Sequence, residues 1–93
     1  MRRYELTVIF PLEEDQHAAG REHLLSDLAA NGVEIEKTDE NGDRDLAYEI
    51  KKRTRGKYVL FTLKADPAKI TGLDRAFKLN TNLLKYLFVR IEE

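Results

Sequence analysis

The side chains able to do covalent or acid–base chemistry are few and poorly spaced for it. The 93-residue chain has two histidines, His17 and His23, and no cysteine. Six positions apart on a helix, the two imidazoles do not share a face as an i, i+4 ligand pair would, and no third histidine completes a metal site. Ser26 stands near His23 and Asp27 in sequence, without the strand–turn–helix elbow that exposes a nucleophile. The carboxylates fall mostly in water-facing runs, Glu13-Glu14-Asp15 and Glu92-Glu93, outside the apolar surroundings that would tune an acid or base. Gly56 and Gly72 are isolated, so no phosphate-cradling loop is formed. The absence of thiols removes disulfides and thiolate metal sites and fits a reducing compartment. These residues predict a protein with no enzymatic activity, metal, cofactor or small-molecule substrate.

What remains is electrostatic. Lys51-Lys52-Arg53-Thr54-Arg55-Gly56-Lys57 carries five cations in seven positions, directly after an alternating strand in which Leu46, Tyr48 and Ile50 are the apolar members. A strand delivering a solvated basic loop is suited to a polyanion, whose phosphates release counterions when neutralised. Against this, 16 basic and 17 acidic residues leave a net charge of −1, whereas domains that bind nucleic acid unaided are usually strongly basic. A nucleic-acid role therefore requires local clustering, or a partner that brings the missing charge.

The elements that would position these groups can be read in order. The length and the 42% hydrophobic content predict one globular domain over 1–93, and no run approaches the ~18 apolar residues of a membrane span. Met1-Arg2-Arg3-Tyr4-Glu5 runs straight into a strand, with no signal-peptide apolar region, so the expected location is the cytoplasm. Tyr4, Leu6, Val8 and Phe10 share one face of that first strand, which Pro11 ends. A helix over about Asp15 to Ala30 places His17, Arg21, Leu24, Leu25 and Leu28 at helical spacing and stops at Asn31-Gly32. A second extended region runs from Val33 to Ile50, with Asn41-Gly42 read as a bulge in one long strand rather than a hairpin turn. Tyr58 to Ala65 is a third strand. Asp66-Pro67 starts a second helix, with Asp as N-cap and Pro where no amide hydrogen is needed. Leu87, Val89 and Ile91 alternate with Phe88 and Arg90 in a last strand. The order β-α-β-β-α-β with right-handed crossovers predicts an α+β, ferredoxin-like domain: a four-stranded antiparallel or mixed sheet with both helices on one face. The other face is expected to stay open and to carry Arg3, Ile9, Leu60, Lys64, Phe88 and Arg90.

That order also invites comparison with RNA-recognition-motif domains, whose third strand stacks bases on aromatics. Arg55-Gly56-Lys57-Tyr58-Val59-Leu60-Phe61 begins similarly, but Lys57 and Val59 stand where aromatics are needed, so the stacking platform is degraded. Stacking contributes ~1–3 kcal/mol per base, and its loss removes most sequence-reading power.

Gly42-Asp43-Arg44-Asp45-Leu46-Ala47-Tyr48-Glu49-Ile50-Lys51 satisfies every position of a longer signature: glycine, any residue, basic, polar, Leu, Ala or Ser, Tyr, any residue, Ile, polar or basic. With the start Met1-Arg2-Arg3-Tyr4-Glu5 and the run from Phe77 to Arg90, the chain resembles the family of the sixth protein of the bacterial small ribosomal subunit over its whole length. In that signature Gly42, Arg44, Leu46, Ala47, Tyr48 and Ile50 are the identifying residues. The resemblance implies a non-catalytic ferredoxin-like domain of the ribosome that binds the central domain of small-subunit ribosomal RNA as a heterodimer with the basic eighteenth protein of that subunit. Such a partner would supply the cations this chain lacks. Glu49 stands where many relatives carry proline and keeps a backbone N–H, which predicts fuller pairing at the strand edge. Asn41 replaces an aromatic common before the glycine.

Charge and face then give the expected contacts. Arg2, Arg3, Lys51, Lys52, Arg53, Arg55, Lys57 and Arg90 are expected on phosphates, and Ile9, Leu60 and Phe88 on the partner protein. The rival readings are a regulatory module of the same fold that holds a small molecule between paired domains, and a degenerate RNA-recognition domain acting alone.

Overall fold

In the computed structural model, which describes residues 1–91, the strand alternation and the helix punctuation produce β1 (Arg2–Phe10), α1 (Glu14–Ala30), β2 (Glu34–Ile50), β3 (Arg53–Ala65), α2 (Pro67–Leu79) and β4 (Lys85–Arg90). The carboxylate pair Glu92-Glu93 lies outside the described residues. The strands form one sheet in the order β2-β3-β1-β4, and every neighbouring pair is antiparallel. This is the ferredoxin-like arrangement expected.

Period-two burial settles which face meets the helices. Tyr4, Leu6, Val8 and Phe10 of β1 and Val59, Phe61 and Leu63 of β3 are buried under Leu24 and Leu28 of α1 and Leu73 and Phe77 of α2. Each such side chain contributes about 1.5–3 kcal/mol of hydrophobic burial. Asp66 caps α2 by accepting from the Ala68 amide at 3.0 Å, with Pro67 in the first turn. At the end of α1, Gly32 takes φ +69°, and the Val33 amide returns to the Leu28 carbonyl at 3.0 Å, closing the helix as a left-handed glycine cap does.

The connection from α2 to β4 is tied to α1 by Asn80, the buried polar side chain of the core. Its Nδ2 donates to the Gly20 carbonyl at 3.1 Å, and its Oδ1 accepts from the Asn82 amide at 3.1 Å. Gly20 is required there, because a Cβ would sit 2.5 Å from the Asn82 carbonyl oxygen.

β2 is one strand bent by bulges, as read. Register shifts occur between Ile35 and Lys37 and between Glu40 and Gly42, where Gly42 takes φ +78°. Two expectations fail beyond it. The basic segment is not a loop: only Lys51 and Lys52 form the turn, and Arg53 to Lys57 already belong to β3. Nor is pairing near Glu49 fuller, since the ladder jumps from Asp45–Arg55 to Ile50–Arg53, leaving Leu46 to Glu49 without register partners. Four residues bulge against one.

Candidate nucleic-acid interface

The bulged tip curls across the end of the sheet toward β4. The Lys51 ammonium donates to the Leu83 carbonyl at 2.9 Å, and Lys85 donates to the Tyr48 hydroxyl at 2.7 Å, with its ammonium 5.2 Å from the centre of the Tyr48 ring. That hydrogen bond raises the Lys85 pKa above its ordinary value. Lys51 and Lys52 hold φ +49° and +64°, the left-handed region that favours glycine or asparagine in a two-residue hairpin turn. The signature segment is thus an arm: Gly42 bends it, Arg44 donates to the Asn41 carbonyl at 3.2 Å, Leu46 and Ile50 are half-buried, and Ala47 and Tyr48 are exposed.

The eight expected phosphate cations do not form one patch. β1 pairs with β3 from Arg2 opposite Ala65 to Phe10 opposite Lys57, so the two groups stand at opposite ends of the sheet, about 26 Å apart at ~3.3 Å per residue. At the turn end most cations have partners within the chain. Arg53 donates to Gln16 Oε1 at 2.9 Å and lies 3.3 Å from a Glu13 carboxylate oxygen, while Arg55 pairs with Asp45 at 3.1 Å. Lys57 shares the register parity of Val59 and Phe61, so it faces the helix layer rather than the open face.

Beneath Lys57 is a charged cluster that sequence reasoning missed, because it joins α1 to β2 across a sequence separation of 19. Arg21 grips Glu40 with two hydrogen bonds of 2.7 Å. The hydrogen bond from Arg21 holds the Glu40 carboxyl below its ordinary pKa. Beside them His17 packs edge-on against Phe10, with ring centres 5.0 Å apart. Burial, then the charges of Lys57 and Arg21, keep its pKa below the usual histidine value. No group of His, Asp or Glu among the described residues has the geometry of a metal site.

At the other end, Arg3 donates to Glu36 at 2.9 Å, and Arg2, Lys64 and Arg90 stand around the same cleft. Arg2 and Arg90 are exposed.

The open face needs two corrections and one refinement. Arg90, opposite the inward Tyr4, has helix-side parity and does not belong to the open face. Phe88 is not on it: its ring stacks on Phe77 at 5.7 Å and 7°, and Tyr4 meets it edge-on at 6.4 Å. The reason lies in register, because Phe88 stands opposite Leu6 and Tyr86 opposite Val8, both inward residues. The Tyr86 hydroxyl also donates to the Asp74 carboxylate at 2.7 Å, and burial first, then that bond, pushes its pKa up to about 12. Leu87 and Val89 therefore point outward, 55% and 47% exposed. Ile9 does have open-face parity, yet it is only 6% exposed, with Gly56 packed so closely that a Cβ there would lie 2.4 Å from Ile9 Cγ2. Leu60 remains half-exposed. Thr7 stands between Leu60 and Leu87, so the three share one row across the sheet.

Residues 3–90 match the family model described as Ribosomal protein S6. The chain belongs to that family. It is 57% identical to the small ribosomal subunit protein bS6 of Treponema denticola over 93 residues, covering 100% of both chains, and 39% identical to that of Treponema pallidum over 92 residues, covering 99% of both. The crystal structure of 30S ribosomal protein S6 from Thermotoga maritima superposes with a TM-score of 0.85 at 22% identity, covering 97% of this chain and 87% of that one. The chemotaxis kinase CheA P2 domain of the same organism reaches 0.66 at 12% identity, which shows the fold alone. The family is one of structural ribosomal proteins without enzymatic activity. Among the described residues no helix is long and apolar enough to cross a membrane.

Proposed function

We propose that this chain, as one domain over 1–93, binds the central domain of small-subunit ribosomal RNA in the cytoplasmic ribosome, together with the eighteenth protein of the same subunit. The observation that carries this reading is the open sheet face: Leu60, Leu87 and Val89 form an uncovered apolar strip, while the cations lie at the sheet ends and the net charge is −1. A chain of this charge balance does not hold RNA by bulk electrostatics. An apolar strip of this kind fits a protein partner, and a basic partner seated there would add charge beside the chain's own cations. Arg2, Arg3, Lys52 and Arg90, with the turn cations once their internal pairs yield, position the RNA backbone without reading sequence. Base stacking has no platform on this face, because Tyr58 is the one aromatic among the open-face positions of β3.

Co-sedimentation with small subunits reconstituted without this protein tests the assignment. Stoichiometric recovery in the particle is expected, and recovery only in the supernatant contradicts it.

A further inference from the structure

We infer that the chain's principal phosphate contact is the cleft at the Arg2 end of the sheet, with Arg2, Lys64 and Arg90 as its working cations, and not the basic turn that dominates the sequence. The inference rests on the RNA-binding reading above and assigns that binding to one place.

The cleft has a volume of about 740 Å³ and is bounded by Arg2, Arg3, Lys64 and Arg90, with Glu36 as the one carboxylate among the described residues that line it. Glu36 is engaged by Arg3 at 2.9 Å. The side chains of Arg2, Lys64 and Arg90 form no hydrogen bond or ion pair with any described residue. Glu34 stands opposite Lys64 in register and does not close a pair with it. Register also places the cations on both sides of the sheet: Arg3 and Lys64 face each other on the open side, while Arg2 and Arg90 have the parity of Tyr4 on the helix side. A sugar–phosphate segment passing the sheet end would meet charge from both sides, with two guanidinium forks suited to bidentate phosphate contact.

The turn end lacks this availability. Lys51 is held by the Leu83 carbonyl, Arg53 by Gln16 and Glu13, and Arg55 by Asp45, while Lys57 faces the helix layer. Of the cations in that run, Lys52 and Lys57 have side chains that form no hydrogen bond or ion pair with any described residue, and of these two only Lys52 stands clear of the helix layer. RNA binding there must first break contacts that hold the arm in place. No such cost attaches to Arg2, Lys64 or Arg90.

The test is a salt series of binding to central-domain RNA with the partner protein present, comparing the native chain with R2Q/K64Q/R90Q and with K51Q/K52Q/R55Q. Each lost phosphate contact reduces the slope of log K against log salt by roughly 0.7–0.9. The cleft variant is expected to lose about two to three slope units and the turn variant at most about one. A turn variant that loses as much as the cleft variant, or more, overturns the inference. Native binding with an unchanged cleft variant refutes the cleft alone, whereas absence of native binding refutes the RNA-binding reading with it. Thermal melts check folding, and the single R90Q, at an exposed position, keeps the comparison usable if the triple variant unfolds.

Discussion

Replacing Phe88 by alanine separates a core residue from a surface residue in the strand where the two are hardest to tell apart. Its ring stacks on Phe77 and meets Tyr4 and Tyr86 edge-on at 6.4 and 6.3 Å. A fully buried Phe→Ala change costs about 3–5 kcal/mol. Since Phe88 is only partly buried, about 2–3 kcal/mol is expected, including its aromatic pairs at ~0.5–1.5 kcal/mol each. In a domain of this size that lowers Tm by roughly 10–20 °C. Leu87→Ala and Val89→Ala remove side chains that are about half in water already, so each should cost less than about 1 kcal/mol. Partner affinity should behave oppositely, falling for L87A and V89A and holding for F88A below its melting range. Urea unfolding followed by partner titration at 15 °C reads both quantities. An F88A protein of native stability and weakened partner binding would falsify the face assignment.

Further perturbations probe the other joints. Asn80→Ala leaves the Asn82 amide without its acceptor and strips the Gly20 carbonyl of its second bond, beyond the one it keeps within α1, and should cost about 1–3 kcal/mol in urea unfolding, the penalty for one unpaired buried group; a cost below about 0.5 kcal/mol would show that the side chain is not needed there. Gly56→Ala drives a methyl toward Ile9 Cγ2 and should destabilise by about 1–3 kcal/mol, partly relieved by Ile9→Val. K51N/K52G relaxes a left-handed turn and should stabilise by about 1 kcal/mol or more; destabilisation would mean that the Lys51 bond to Leu83 outweighs the strain. Because the native His17 pKa lies below its unfolded value of 6.5, the unfolded chain takes up the proton first as pH falls. Stability should therefore be full above pH 6.5 and decline through and below it until the native histidine also protonates; H17Q should remove that portion of the pH dependence, and an unchanged profile would exclude His17 as its source.

How much of this was legible beforehand follows from local signals. β1, Asp66-Pro67 and the bulge at Gly42 were readable because alternation, capping and left-handed backbone are properties of adjacent residues. The strand β4 was readable too but its facing was not, since Tyr86, Leu87, Phe88 and Val89 are apolar on both faces and parity alone cannot say which pair turns inward. The turn at Lys51-Lys52 carries no Asn-Gly signal, and its left-handed lysines run against local preference. The family was legible from the arm, whereas the fate of the cations was not. Arg3 finds Glu36 and Arg53 finds Gln16 across sequence separations of 33 and 37, which only the folded sheet brings together. A count of charges in the sequence therefore favoured the turn, and their pairing in space favours the opposite end.

The central claim is that this chain holds RNA jointly with a basic partner rather than alone. Its most direct test is equilibrium binding to central-domain small-subunit RNA at physiological salt, measured with and without the eighteenth protein. Affinity at least tenfold higher with the partner is predicted, a coupling of about 1.4 kcal/mol or more; equal affinity in the two mixtures would contradict it.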